Sequence, residues 1–192
     1  MLDDAGLDDV KIVASNSLDE YIIRDLLIQG AKIDTFGVGE RLVTSKSEPV
    51  FGGVYKLSAI EENGELVPRI KISENVGKIT NPAHKAVWRL FDNETGKAIA
   101  DVITLADEVI DDSKPYVIFD PIQTFKKKTV KNFTAKKLQE QIFRNGECIY
   151  PDYTADELKK YCEAQLETIW DEVKRFENPH EYYVDYSRKL WE

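Results

Sequence analysis

Residues 11–39 of this chain read KIVASNSLDEYIIRDLLIQGAKIDTFGVG, and that order of patterns limits the folds open to it. KIVAS, at 11–15, is a short apolar run of the kind found in strands covered on both faces. Ile22, Ile23, Leu26 and Leu27 then recur at four-residue spacing, one side of an amphipathic helix. Ser17 and Glu20 have the separation of a capping box at its start, and Gly30 falls where a left-handed residue ends a helix. A second strand is predicted over 33–36, so 11–39 is read as a βαβ unit. Such a unit buries its strands only within a larger parallel sheet or barrel. MLDDAG, at 1–6, reads as the last turn of an earlier helix, and the chain is therefore expected to be the C-terminal part of something longer.

After Pro49 the texture changes to hairpins. VYKLSAI and LVPRIKIS flank Glu62-Asn63-Gly64, and Asn-Gly between strand-like runs is a strong hairpin signal. KAVWRLF and AIADVITL flank residues 92–96 in the same way. Residues 49–120 are thus expected to be antiparallel β and 121–192 mainly helical, after an α/β part at 1–48. A short helix is predicted over 135–144. A longer one is predicted from a capping box at Thr154 and Glu157, with Leu158, Cys162, Leu166, Ile169, Val173 and Phe176 as an apolar stripe docked on its own domain, and Asn178-Pro179 as its stop.

Charge narrows the range of functions. The formal net charge of −9 disfavours nucleic acid as a partner, and Lys126, Lys127, Lys128 and Lys131 read as a solvated edge. No apolar run approaches the roughly 20 residues of a membrane span, and the start does not read as a signal peptide, so a cytoplasmic location is expected. Cys148 and Cys162 have no metal-ligand spacing and suit a reducing compartment. His84 and His180 lie beside prolines in loop-like sequence, and neither suggests a metal site or a nucleophilic triad.

The chemistry that remains is at the ends of the two predicted parallel strands, where α/β folds place ligands. ASNS at 14–17 and FGVGE at 36–40 both occupy that position. Gly37 and Gly39 lack a Cβ, so a phosphate could approach the backbone N–H groups of Gly37, Val38 and Gly39, with a helix beginning at ERLVTS behind them. Ser15, Asn16 and Thr44 could add neutral donors. The alternative is that the glycines only turn the chain, and spacing leaves both readings open. The segment fits neither G-x-G-x-x-G, since position 42 is Leu, nor a P-loop.

Four stretches, KIVASNSLDEYIIRDLLIQGAKIDTFGVGERLVTS, EPVFGGVYKL, KISENVGKITNP and ENPHEYYVDYSRKLW, together resemble the C-terminal part of bacterial nicotinate phosphoribosyltransferases, in the right order through nearly the whole chain. The resemblance implies an irregular α/β barrel, of which this chain carries part. It implies an enzyme of NAD salvage that joins nicotinate to phosphoribosyl pyrophosphate, with ATP hydrolysis coupled through a phosphorylated histidine, Mg²⁺ at the phosphates and a homodimeric assembly. FGVGE matches the family's loop for the substrate phosphates, which implies that role for Gly37, Val38, Gly39 and Glu40, with Ser15, Asn16 and Thr44 nearby.

The chain departs from the family at two positions. Many relatives carry Thr where Glu40 stands, and a carboxylate facing a phosphate is repulsive unless it points away, caps the next turn, or is compensated by Arg41 and Mg²⁺. Relatives also often have Pro-Gly where this chain has Pro82-Ala83, read as a loop variant without catalytic consequence. The family's phosphorylatable histidine, its RxDSGD-type segment and its base-binding tyrosine all precede the matching region, and neither His84 nor His180 sits in a corresponding motif. No catalytic or metal-binding residue is therefore assigned, and the chain by itself is expected to be inactive. The competing readings are a catalytically silent binding or assembly module and a nicotinamide-specific relative.

Overall fold

A computed structural model of the protein describes residues 2–50, 52–75 and 78–192. Phe51, Val76 and Gly77, which fall in two of the quoted family stretches, lie outside the described residues. The chain divides into two compact units, Met1–Tyr55 and Lys56–Glu192.

The first unit contains the expected βαβ arrangement. Strand β1 (Val13–Ser15) pairs in parallel with β2 (Thr35–Gly37), and helix α1 (Glu20–Ile28) connects them. Asp34 fixes where the pairing begins: its carboxylate accepts the Ile12 N–H at 2.8 Å, while the Ile12 carbonyl accepts the N–H groups of Asp34 and Thr35. Gly30, at φ +77°, ends α1 in a Schellman arrangement, with Gly30 N–H on the Leu27 carbonyl and Ala31 N–H on that of Leu26. A one-turn helix, α2 (Glu40–Val43), follows β2 directly. Asp3–Ala5 form a single 3₁₀ turn before Gly6.

The start of α1 differs from expectation. Its cap is Asp19, in extended backbone, whose carboxylate accepts the Ile22 N–H at 2.9 Å. Ser17 stands at φ +49°, outside the extended conformation a cap requires, so Glu20 becomes the first helical residue and the Ser17–Glu20 box does not form.

The second unit is built on an antiparallel pair, β5 (Lys85–Asp92) and β6 (Ala98–Leu105), the second predicted hairpin. The first predicted hairpin is β3 (Ala59–Glu62) with β4 (Glu65–Pro68). Asn63 and Gly64 both have positive φ at its turn, as a two-residue hairpin loop of the primed kind needs. Strand β7 (Tyr116–Phe119) pairs with β8 (Lys127–Val130). Strand β9 (Phe133–Lys137) adds to the free side of β5, and β12 (Val184–Tyr186) adds in parallel to β6, giving the four-stranded order β12-β6-β5-β9. Leu90, Ala100, Val102, Ile110, Ile118, Val130 and Phe133 form the core against this sheet.

The expectation of a mainly helical 121–192 is corrected. Residues 133–137 form β9, and Phe143–Arg144 and Glu147–Cys148 form a small hairpin, β10 and β11, turning at Asn145-Gly146. The buried Phe133 and half-buried Ala135 alternate with the exposed Thr134 and Lys136, the two-residue period of a strand. The longer helix, α3 (Ala155–Glu167), starts at the Thr154 capping box as expected. It ends at Thr168, so Ile169, Val173 and Phe176 lie beyond it. None of its residues is buried, and Leu158, Cys162 and Leu166 are exposed rather than docked. The helix is tied at its C-terminal end instead. Lys97 Nζ donates to the Glu167 carbonyl at 2.7 Å, Ala98 N–H to the Thr168 carbonyl at 2.7 Å, and Trp170 Nε1 to the Ala98 carbonyl at 2.9 Å. A short helix, α4 (Arg188–Trp191), capped by Ser187, closes the unit.

Candidate phosphate-binding site

In the Met1–Tyr55 unit the C-terminal ends of β1 and β2 lie side by side, with Ser15 in register with Gly37. The two segments leaving those strands, 16–19 and 38–39, are therefore neighbours. Both run on into helix starts.

Asn16, at φ +107°, and Ser17, at +49°, are consecutive non-glycine residues in the left-handed half of backbone space, immediately after β1. Such conformations cost of order 1–3 kcal/mol each and gather where a chain must present particular groups. Ser15, Asn16 and Ser17 are all exposed.

Across from them, a Cβ placed on Gly37 would come within 3.2 Å of Ser15 Oγ and 3.3 Å of Ser15 Cβ, so the absence of a side chain there permits the close approach of the two strand ends. Gly39 differs. A Cβ built on it meets nothing within 4 Å, so the space in front of this residue is open. Among the described residues, no main-chain carbonyl accepts the N–H of Val38 or Gly39. Gly39 caps α2 without a side-chain hydrogen bond, leaving the helix start open to an external acceptor.

Of the alternatives left open for Glu40, the structure gives the place in the first helical turn and engages Arg41 elsewhere. Arg41 does not face Glu40; its guanidinium donates to Asp19, the cap of α1, in a close ion pair. Asp19 thus serves Ile22 N–H with one oxygen and Arg41 with the other. A cleft of about 400 Å³ lies on this side, between α1 and α2, with Asp19, Ile23, Val38 and Arg41 among its walls. Glu40 is exposed in the first turn of α2, where the helix dipole favours a carboxylate. Thr44 closes the other end of that turn, its hydroxyl donating to the Glu40 carbonyl at 2.8 Å. The structure therefore brings together Ser15, Asn16, Gly37, Val38 and Gly39, places Glu40 just behind them, and engages the Thr44 hydroxyl within α2. Sequence reasoning missed the Asp19–Arg41 pair; two opposite charges each next to a helix start were its only trace.

Comparison with known proteins bears on what such a loop pair serves. The profile of the nicotinate phosphoribosyltransferase C-terminal domain matches residues 84–192, more than half of the chain. The chain belongs to the nicotinate phosphoribosyltransferase family. It is 44% identical over 191 residues to the nicotinate phosphoribosyltransferase of Bacillus subtilis, covering all of this chain and 39% of that protein. It is 33% identical over 189 residues to that of Dictyostelium discoideum, covering 94% of this chain and 31% of that one. Among solved structures it is similar to human nicotinic acid phosphoribosyltransferase, with a TM-score of 0.70 and 25% identity over 97% of this chain and 32% of the human one. The chain thus spans well under half of the length of these relatives. The glycine loops precede the segment matched by the domain profile, but they fall within the region aligned to the Bacillus protein.

Among the described residues, no helix is long and apolar enough to cross a membrane. No cluster of three or more His, Cys, Asp or Glu is placed to hold a metal ion among them.

Proposed function

We propose that this chain is the C-terminal part of a nicotinate phosphoribosyltransferase of NAD salvage, and that its glycine loops hold the phosphates of phosphoribosyl pyrophosphate. The reaction joins nicotinate to the ribose and releases pyrophosphate, giving nicotinate mononucleotide. Displacement at the anomeric carbon passes through a state with oxocarbenium character, so donors that hold the leaving phosphates in place do much of the catalysis. In this reading Val38 and Gly39 N–H, with Ser15 and Asn16 from the adjacent strand end, donate to the phosphate oxygens, and residues 1–48 contribute to the barrel that the resemblance implies. Glu40, exposed in the first turn of α2, is favoured there by the helix dipole. The single observation that carries the proposal is the pair of amides at the exit of β2 that no main-chain carbonyl claims, beside a strained β1 exit and open space at Gly39.

Mg²⁺ and ATP belong to the proposal only through the family. The part proposed for this chain is to bind and orient phosphates by neutral donors. The histidine that would be phosphorylated, and the groups that would select the base, are not assigned to any residue here. Assembly as a homodimer is part of the same proposal.

Gly39 and Gly37 separate ligand binding from packing. Gly39→Ala adds a methyl group to open space, so it should leave the fold unchanged and weaken phosphoribosyl pyrophosphate by about tenfold, the value of a charge-assisted contact. Gly37→Ala presses on Ser15, and its effect should appear first as a loss of stability of about 1 kcal/mol. Calorimetric titration of phosphoribosyl pyrophosphate, paired with thermal unfolding, reads both. Unchanged binding in Gly39→Ala would refute the assignment.

A further inference from the structure

The Lys56–Glu192 unit has a cleft of about 280 Å³ that the proposed reaction does not use. Its walls come from three places. Ile118 of β7 and Asp120 just after it form one side, and Lys126, Lys127 and Lys128 from the start of β8 form the rim. Ile99 of β6, with Tyr183 and Asp185 at the β12 edge, completes it.

Asp185 is the central residue of β12, in register with Val102, and only 5% of it is exposed. Among the described residues, its carboxylate has neither a hydrogen bond nor an ion pair. An unpartnered carboxylate is expensive to bury, and a fold retains one where a counter-charge arrives from elsewhere or where a proton stays on it. Asp120 offers no relief. Its Oδ1 is already taken by the N–H groups of Ile122 and Gln123, at 2.8 and 2.7 Å, and its charge opposes that of Asp185. Beyond these two acids the floor is aliphatic, and the three lysines at the mouth are exposed.

We propose that this cleft binds a small zwitterion, with an ammonium or guanidinium group seated on Asp185, a short aliphatic stem over Ile99 and Ile118, and an anionic group held by Lys126, Lys127 and Lys128. A simple anion would meet Asp185 and Asp120 on its way in. A simple cation would pass three ammonium groups with nothing to offer them. A bare divalent ion would find only two carboxylates in a space much larger than itself. A ligand carrying both charges satisfies the buried acid and the basic rim together.

The empty site has a protonation signature. Burial, and then the neighbouring Asp120, push the Asp185 carboxyl above the ordinary carboxylate range. The other charged and titratable groups facing it are the rim lysines and Tyr183. Seating a cation on Asp185 requires the ionised carboxylate, so affinity should fall as pH drops through that raised titration, the displaced proton going to solvent.

Calorimetric titration of the full chain with ε-aminocaproate, n-hexylamine and caproate tests the assignment. The zwitterion should bind, and neither single-charge analogue should match it. Asp185→Asn, nearly isosteric, should weaken ε-aminocaproate about tenfold or more. Replacing the three exposed lysines by glutamine should weaken ε-aminocaproate while leaving n-hexylamine unchanged or tighter. Should Asp185→Asn fail to fold, the lysine variant and the pH dependence still decide. The proposal is overturned if no probe binds at millimolar concentration, if n-hexylamine binds as tightly as ε-aminocaproate, or if folded Asp185→Asn binds as the parent does.

Discussion

Ala83→Gly should make the protein more stable. Ala83 stands at φ +81°, in the left-handed region, within a loop held from both sides. Its N–H donates to the Ser58 carbonyl at 2.8 Å, and its carbonyl accepts from Lys85 Nζ at 2.8 Å. The same ammonium also binds the carbonyls of Asn81 and Pro82, and burial lowers its pKa. With three carbonyls gathered on one cation, residue 83 has little freedom to leave its conformation. A Cβ there costs about 1–2 kcal/mol, whereas glycine adds about 0.5–1 kcal/mol of unfolded-chain freedom to be lost. The difference favours Gly by about 0.5–1 kcal/mol, a rise of roughly 1–4 °C in Tm for a chain of this size. Trp88, Trp170 and Trp191 all lie in the Lys56–Glu192 unit, so tryptophan fluorescence during thermal unfolding reports on the unit concerned. Ala83→Val should shift Tm the other way, because a branched side chain suits positive φ less well. A lower Tm for Ala83→Gly would refute the argument. Pro82-Ala83 is then a form of this turn that carries a conformational cost.

Three further outcomes follow from side-chain partners. Asp101 accepts Nε and Nη2 of Arg89 at 2.8 and 3.0 Å and the Tyr182 hydroxyl at 2.8 Å, so Asp101→Ala strands a largely buried guanidinium and should lower stability by about 3–5 kcal/mol in urea unfolding; a loss below about 1 kcal/mol would show the network to be solvated. Thr154→Ala removes the hydroxyl half of the α3 capping box, at about 1 kcal/mol, and leaves the N–H of residue 154 on Glu157, yet α3 buries no residue, so amide exchange in its first turns should accelerate while global unfolding barely moves. For Asp185 the folded pKa is raised, so its contribution to stability is fully present below the unfolded value and is lost as pH rises through the folded one. Asp185→Asn should accordingly be more stable than the parent at neutral pH, with the advantage vanishing in acid; equal denaturation midpoints at both pH values would contradict the burial argument.

The elements legible in the sequence were those whose signal is local. The βαβ unit announced itself through one apolar run, one helical stripe and Gly30. Asn63-Gly64 and the Thr154 box each carry their own turn or cap chemistry. Where two local signals competed, the backbone decided: Ser17 and Asp19 are both good caps, and the left-handed turn at Asn16-Ser17 hands the role to Asp19. Long-range partners were invisible. Residues 135–140, AKKLQE, favour a helix by composition, but hydrogen bonding along β5 makes the first part a strand. The stripe on α3 continues on paper to Phe176, whereas Lys97 and Ala98, far away in sequence, capture the carbonyls of Glu167 and Thr168. For the candidate site, the glycines and their strand-end position could be read directly. The distinction between Gly37, which accommodates Ser15, and Gly39, which faces open space, required the distances across the two strands.

The double engagement of Asp19 has a consequence for how the proposed phosphate ligand would be received. Since one carboxylate fastens the first turn of α1 and, through Arg41, the turn after the glycines, the two segments are clasped together before any guest arrives. The entropy of gathering them is spent during folding and not at the moment of capture. Loosening that clasp by Asp19→Asn should slow the arrival of a snug fit more than it alters the contacts finally made.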